Sequence, residues 1–216
     1  MNVDDFKNRV YPQLEEFVLA ELSKDCSGHN HQHAHRVVSN ALQILKEENG
    51  DYVVVVTASI LHDVIDHKLF EDTSAQLQKV KVLLEQCNFS VEELDEVLYI
   101  MQNISFSGGK SAGLKSLNAQ IVCDADRLDA LGAIGIIRTI EYGASKGRPF
   151  YNEENLKCGR QGVLQEDFPN TSLSHFYEKL LKLEGLMFTR FGKELAKQRT
   201  QFMFQFLQQF YDELGN

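Results

Sequence analysis

Apolar residues recur at intervals of three and four over most of the chain, the spacing of an amphipathic helix. The first stripe lies within residues 4–24 and consists of Phe6, Val10, Leu14, Phe17, Val18 and Leu22. The same spacing predicts helices over 31–48, 73–87, 90–104, 116–145 and 172–214. We expect breaks near Gly132 and near Gly185 or Gly192. No Asn-Gly or Asp-Gly turn joins two alternating runs, so the pattern predicts an all-α fold.

The segment 52–63 is apolar on nearly every side, which predicts a helix at the centre of the fold. Its run of four valines, 53–56, leaves a β-strand as the alternative. Ser90 with Glu93 three residues later has the form of a capping box, which predicts a helix start.

Two segments lack helical spacing. SFSGGKSAG (105–113) is a predicted Gly/Ser loop, and 146–171 has weak periodicity with several glycines and prolines. Connections this long are usually functional or disordered. We therefore expect a helical core over 1–145, and over 146–216 a lid-like loop and C-terminal helices that pack on the core within the same domain.

The composition is that of a globular protein, with 216 residues, 43% hydrophobic and 25% charged. The net charge of -9 argues against a broad nucleic-acid groove but allows a small phosphate pocket. The four cysteines have no CxxC spacing and are expected to be reduced thiols. No signal-peptide-like or membrane-spanning run occurs, so we expect a cytoplasmic protein with no membrane partner.

Histidines occupy every second position of GHNHQHAHRVV, at His29, His31, His33 and His35. On a helix, residues two apart project about 200° from one another, so at most one or two can point inward. His33 borders one edge of the apolar stripe and His35 borders the other. Periodicity leaves both as candidates, and a solvated helix start with surface histidines is the alternative.

The central segment ends in the adjacent pair His62 and Asp63, within ILHDVIDHK. Imidazole nitrogen and carboxylate oxygen together suit a borderline divalent cation. A helix end with an internal hydrogen bond is the alternative. Because an unpaired buried carboxylate is costly, a metal ion is one way to satisfy Asp63.

Three carboxylates follow in IVCDADRLDAL, at Asp124, Asp126 and Asp129. Asp126 shares a helical face with small residues, which permit another helix to approach closely. Asp124 lies among leucines, where a structural hydrogen bond is equally consistent. The alternative is that all three cap helices or pair with Arg127 and Arg138.

The ordered segments GHNHQHAHRV, HDVIDHKLF and DADRLDA resemble the motifs of HD-domain metal-dependent phosphohydrolases, which are named for the His-Asp pair. The closest subgroup resembles bacterial nucleotide pyrophosphohydrolases. The resemblance covers at least residues 28–131 and implies a single-domain helical bundle with a smaller helical C-terminal extension. Asn30, where that subgroup often has Asp, and the extra histidines at 31 and 35 depart from the pattern.

The resemblance selects His33 over His35 and implies one octahedral ion held by His33, His62, Asp63 and Asp126. Mn²⁺ is favoured, with Mg²⁺, Fe²⁺, Co²⁺, Ni²⁺ or Zn²⁺ as alternatives. Such an ion polarises a phosphoryl group and lowers the pKa of water. His67 is the only histidine between Asp63 and Asp126. Binuclear relatives, such as cyclic-dinucleotide phosphodiesterases and di-iron oxygenases, use further histidines in that interval, so the sequence argues against a second metal ion there.

The implied activity is hydrolysis of nucleoside triphosphates to monophosphate and pyrophosphate. The alternatives are a nucleoside 5'-monophosphate phosphatase, an alarmone hydrolase, a non-catalytic nucleotide- or metal-sensing module, and a helical scaffold with an incidental His-Asp pair. The expected partner is a small nucleotide rather than a large nucleic acid, and a homodimer stays open.

Asp66 lies four residues after His62, over the same face if the helix continues, so we expect it to orient the attacking water or accept its proton. Lys68 would neutralise a substrate phosphate, with a surface lysine as the alternative. Candidate substrate contacts, each with a structural or solvated role as its alternative, are His29, Arg36, Lys110, Arg148, Tyr151 and Lys179.

Overall fold

The computed structural model describes residues 1–22, 30–66, 69–70, 72–104, 113–153, 156 and 170–214. These residues form helices and turns and contain no β-strand, which confirms the all-α prediction. Within the same residues, no helix combines the length and the apolar character needed to cross a bilayer. The chain divides into two compact units, Met1–Asp126 and Arg127–Asn216. This division reflects which residues pack together and does not test the boundary between core and extension that we placed after residue 145. That boundary stays a prediction.

Helices account for most of the first unit. They are α1 (Val3–Asp5), a π-helical stretch (Phe6–Val10), α2 (Tyr11–Leu22), α3 (His31–Leu45), α4 (Tyr52–Leu61), a 3₁₀ turn (His62–Ile65), α5 (Thr73–Gln86), α6 (Val91–Asn103) and α7 (Leu117–Asp129), whose end belongs to the second unit. The second unit contains α8 (Gly132–Ser145), α9 (Ser172–Glu178), a 3₁₀ segment (Leu180–Leu186) and α10 (Arg190–Glu213).

The π-helical stretch immediately precedes Pro12 and has a local cause. Proline lacks an N–H and its ring clashes with the carbonyl four residues back, here that of Asn8. The chain widens by one residue instead, and the N–H of Tyr11 donates to the carbonyl of Phe6, five residues earlier. The widened turn lets α1 and α2 form one nearly continuous helical segment despite the proline.

Helix α4 lies at the centre of the first unit. Every residue from Val53 to Leu61 is buried, and α4 packs against α2, α3 and α6. The strand alternative for the four valines is therefore wrong. Valine is a slightly poor helix former, but burial on all sides outweighs that small preference. Asp51 starts the helix, because its side chain accepts a hydrogen bond from the N–H of Val54 at 3.0 Å.

Caps set the start of two further helices. Ser90 and Glu93 form the predicted capping box at the start of α6. The side chain of Asn30 accepts a hydrogen bond from the N–H of His33 at 3.1 Å, so Asn30 is the N-cap of α3. Asn caps a helix as well as Asp does, which gives this departure from the family pattern a structural role.

Gly50 lies where the start of α4 meets α7. A Cβ atom at this position would lie 2.5 Å from Cδ1 of Ile121 and 2.9 Å from Cδ2 of Leu45. Beside it, the side chain of Asn118 accepts a hydrogen bond from the N–H of Asp51 at 2.8 Å. The absence of a side chain therefore permits α7 to approach the α3–α4 connection closely.

Of the helix breaks predicted at glycines in the second unit, one lies at the predicted glycine and the other lies close to two of them. Gly132 has φ +71 and is the first residue of α8, three residues after the end of α7, so the predicted break is confirmed. Gly185 lies inside the 3₁₀ segment and Gly192 lies inside α10, whose N-cap is Thr189. The break falls at 187–189, between these two glycines.

Candidate metal centre

Three helical elements of the first unit bring four potential metal ligands together. His33 lies in the first turn of α3 and is 1% exposed. His62 and Asp63 open the 3₁₀ turn after α4, and both are buried. Asp126 lies in α7, and its side chain is 29% exposed. Three of the donors are thus enclosed, and the fourth reaches solvent.

A backbone contact assigns the tautomer of His62. Its Nδ1 atom lies 2.8 Å from the carbonyl oxygen of Ser59. A carbonyl only accepts hydrogen bonds, so Nδ1 carries the proton and donates it. This leaves Nε2 facing His33 and available as a ligand atom, as in metal-binding histidines whose second nitrogen is held by a backbone carbonyl.

The donor atoms lie at distances that suit one ion. Nε2 of His33 is 3.2 Å from Nε2 of His62, 3.4 Å from Oδ2 of Asp63 and 3.3 Å from Oδ1 of Asp126. Nε2 of His62 is 3.3 Å from Oδ1 of Asp63 and 3.8 Å from Oδ1 of Asp126. An octahedral ion with bonds of about 2.1 Å separates neighbouring donors by about 3.0 Å and opposite donors by about 4.2 Å. All five distances fall within that range.

The charge of the cluster also fits a divalent cation. Two carboxylates and two neutral imidazoles carry a charge of about -2, and burying such charge without compensation is costly. Among the described residues, ligand atoms of His33, His62 and Asp63 all lie within 4.8 Å of one another, and all three residues are buried. The mixed nitrogen and oxygen set suits borderline ions such as Mn²⁺, Fe²⁺, Co²⁺ or Zn²⁺.

Asn40 is a supporting residue that sequence reasoning missed. Its buried side-chain amide donates to the carbonyl of Ala125 at 2.9 Å, and so joins α3 to α7 directly before Asp126. Position 40 is seven residues after His33, which places both on one face of α3. A polar residue on that apolar face was the signal that could have identified it.

The structure also decides between alternatives that periodicity left open. His33 points into the cluster, whereas His35 is exposed and lies 3.5 Å from Glu15. Oδ2 of Asp129 lies 2.6 Å from a guanidinium nitrogen of Arg138, which is the ion pair that the structural alternative for this aspartate predicted. Asp126 instead faces the two histidines.

Comparison with known proteins places the chain in a family. No protein-family model matches it. It is 34% identical over 199 residues to the uncharacterized protein YpgQ of Bacillus subtilis, which covers 91% of this chain and 90% of YpgQ. A crystal structure of an HD-superfamily hydrolase from Bacillus thuringiensis is 38% identical, with a TM-score of 0.77 over 96% of this chain and 97% of that one. The chain belongs to the HD superfamily of hydrolases.

Another solved relative is Bacillus subtilis YpgQ in complex with ADP. It is 30% identical to this chain, with a TM-score of 0.76 over 95% of this chain and 98% of that one. The resemblance inferred from the three motifs is confirmed at the level of the superfamily. In general terms the protein is a metal-dependent phosphohydrolase, and its His-Asp pair lies at the centre of the donor cluster.

Asp66, expected to act on water in this HD-superfamily centre, is placed differently from the sequence argument. The α-helix ends at Leu61, and Asp66 follows the 3₁₀ turn with extended backbone, ψ 125. The shared helical face therefore does not exist, because the helix does not continue. Asp66 is nevertheless tied to the His-Asp segment, since its N–H donates to the carbonyl of Asp63 at 3.0 Å. Its role in the reaction stays a prediction.

The predicted substrate contacts are only partly described. Arg36 is half-buried in α3, one turn after His33. In the second unit, the guanidinium of Arg148 lies 5.9 Å from the ring centre of Tyr142, Tyr151 packs edge-to-face on Phe210 at 5.4 Å, and Lys179 ends α9. The remaining predicted contacts lie outside the described residues: His29, Lys68 and Lys110.

Proposed function

We propose that this HD-superfamily protein hydrolyses nucleoside triphosphates to nucleoside monophosphate and pyrophosphate, with Mn²⁺ as the favoured cofactor. The observation that carries the proposal is the convergence of His33, His62, Asp63 and Asp126, with nitrogen and oxygen donors 3.2–3.8 Å apart. The 29% exposure of the Asp126 side chain leaves a route for substrate, as catalytic metal sites require.

The YpgQ complex supports a polyphosphate rather than a monophosphate substrate. YpgQ was crystallised with ADP, which contains a base, a sugar and an α–β phosphoanhydride. A triphosphate pyrophosphohydrolase cleaves that same anhydride, whereas a monophosphatase has no use for a second phosphate. The relation between the two chains extends this argument to the present protein.

His33, His62, Asp63 and Asp126 would hold the cation, and the hydrogen bond from Nδ1 of His62 to the carbonyl of Ser59 directs Nε2 into the cluster. A divalent cation supplies polarisation of a phosphoryl oxygen and a lowered pKa of water. We propose that water attacks the α-phosphorus and that the bond to the bridging oxygen breaks, releasing pyrophosphate. Asp66 takes the proton of the attacking water.

Cationic side chains are proposed to hold the phosphates and the nucleoside. Lys68 would neutralise the leaving pyrophosphate as a point charge, and Arg36 would contact a phosphate from α3. The remaining proposed contacts are His29, Lys110, Arg148, Tyr151 and Lys179. We also propose a cytoplasmic location, and we keep a homodimer as an expectation that light scattering would test.

A substrate panel tests the proposal. The purified protein, dialysed against Mn²⁺, would receive ribo- and deoxynucleoside triphosphates, monophosphates and a guanosine alarmone, with pyrophosphate and phosphate measured separately. We expect pyrophosphate and nucleoside monophosphate from the triphosphates. Phosphate from monophosphates would indicate a nucleotidase, and hydrolysis of the alarmone alone would indicate an alarmone hydrolase. Tight binding without turnover would indicate a sensing module, and each of these outcomes overturns the proposal.

Asp66→Asn tests the proton acceptor. We expect the rate of pyrophosphate release to fall by about a hundredfold or more, the usual contribution of a positioned base, while metal content is unchanged. Asp72→Asn is the matched control, because Asp72 caps α5 and Asn caps equally well. Equal rates in both variants would remove Asp66 from the mechanism.

A further inference from the structure

His31 and His35 are the two described histidines of the alternating run that the proposed reaction does not use. They lie four residues apart in α3, so both project from one face of the helix. Their rings are 6.3 Å apart, centre to centre, at an interplanar angle of 89°. Histidines at this helical spacing are a recurring way to bind zinc, as in the HExxH motif.

Glu15 provides a third potential ligand from a neighbouring helix. Its Oε1 atom lies 3.5 Å from Nδ1 of His35, and α2 packs against α3. The pKa of the Tyr11 hydroxyl is raised, first by burial, then by the negative charge of Glu15 and by the hydrogen bond to its carboxylate. Tyr11 therefore stays protonated and donates to the carboxylate. A hydrogen bond that orients a carboxylate from behind is typical of metal sites.

We propose that His31, His35 and Glu15 form a second divalent-cation site, separate from the His33 centre, which takes Zn²⁺ or a similar borderline ion. Two imidazoles and one carboxylate are the donor set of many zinc sites, with water in the fourth position. The site links α2 to α3, whereas the first centre links α3 to the 3₁₀ turn and α7.

The second site forms by rotation of side chains. Among the described residues, only His33, His62 and Asp63 already have ligand atoms within 4.8 Å of one another. The rings of that first pair are 5.1 Å apart, about 1 Å less than those of His31 and His35. The side chains of His35 and Glu15 are 45% and 38% exposed, so both have room to turn towards an ion.

Zinc binding in a protein whose first centre is disabled tests the site. We would measure Zn²⁺ per chain by equilibrium dialysis on the full chain carrying His62→Ala. We expect one ion per chain, and a loss of at least about tenfold in affinity on adding either His31→Gln or His35→Gln, since even outer-shell changes cost 10–100-fold. Gln32→Ala is the matched control, an exposed change in the same turn that should leave affinity unchanged.

Two further measurements keep the proposal falsifiable if His62→Ala misfolds. Wild-type protein already loaded with one Mn²⁺ should take up one additional Zn²⁺, and the additional ion should be lost in His31→Gln. With Cu²⁺ at the second site, electron paramagnetic resonance should show coupling to two imidazole nitrogens. No second ion in wild type, or zinc binding indifferent to both histidine changes, would overturn the proposal.

Discussion

Buried polar groups have opposite arrangements in the two units of the molecule. In the first unit, His33, His62 and Asp63 converge on a common point with the partly exposed Asp126. In the second unit, the buried Asp129 instead lies against a cationic partner, and the half-buried Arg199 binds a backbone carbonyl. Asp129 binds Arg138 at 2.6 Å, and Arg199 donates to the carbonyl of Leu128 at 2.6 Å.

The contrast separates a functional cluster from a structural one. A converging set of donors is costly to fold until a cation joins it, whereas a matched pair already compensates its own charge. Aromatic contacts occur in both units, between Phe6 and Tyr52 in the first and between Phe176 and Phe206 in the second, so the difference lies in the polar groups. Changes in the His33 cluster should therefore affect metal content and activity, whereas changes in the Asp129–Arg138 pair should affect the free energy of unfolding.

His62→Ala has the largest expected effect, and it falls on activity. Loss of one imidazole ligand should remove the ion and lower hydrolysis at least about a thousandfold, because the ion supplies several kcal/mol to the transition state. Metal content by mass spectrometry and single-turnover hydrolysis check this. Unchanged Mn²⁺ content together with unchanged hydrolysis in the variant would show that the cluster is not the catalytic metal site.

Asp129→Asn should have the converse effect. It removes the buried carboxylate charge that Arg138 binds at 2.6 Å, so we expect the free energy of unfolding to fall by about 3 kcal/mol, with metal content preserved. Urea unfolding monitored by circular dichroism measures the change. If Asp129→Asn also emptied the metal centre, the division of labour between the two carboxylates would fail.

His175 should make the stability depend on pH. Burial, then the charges of Lys179 and Arg148, lower the pKa of this imidazole from its usual 6.5 to about 4. Between pH 6.5 and about pH 4 the unfolded chain binds a proton at this imidazole and the folded chain does not. The contribution of His175 to the free energy of unfolding is therefore full above pH 6.5 and is lost as the pH falls to about 4.

The expected size is about 2 kcal/mol after allowance for partial exposure, measured as the difference between wild type and His175→Gln. Unfolding would be followed from pH 7 to pH 4, and the wild type should lose about 2 kcal/mol more than His175→Gln over that interval. Parallel curves throughout would show that His175 protonates equally in both states.

Asn40→Ala has the smallest expected effect and falls on the first cluster. The carbonyl of Ala125 would lose its amide donor, which we expect to cost about 1 kcal/mol of stability and about tenfold in metal affinity. Thr200→Val is the control in the second unit. Its buried hydroxyl has no hydrogen-bond partner among the described residues, so stability should not fall. An unchanged metal affinity in Asn40→Ala would limit Asn40 to a structural role.

Helical spacing predicted the fold to within a few residues at α5 and α6, because one buried face repeats through each helix. It could not distinguish His33 from His35, since both border the same apolar stripe. Nothing in the sequence of residues 62–65 indicates the 3₁₀ turn. The expectation that Asp66 shares a helical face with His62 required a continuous α-helix and was wrong for that reason. The four candidate ligands could be selected only through the ordered motifs, because their meeting depends on contacts between helices that are distant in the sequence.

Gly50 has a consequence that reaches beyond its own position. It has no functional group, yet the Cβ of an alanine there would lie 2.5 Å from Cδ1 of Ile121 in α7, so that side chain would have to move. Asp126, a candidate metal ligand, lies little more than one turn further along the same helix. In a mutational scan scored by turnover, the tolerance of Gly50 should therefore depend on how far the Ile121 and Leu45 side chains can repack around the new side chain.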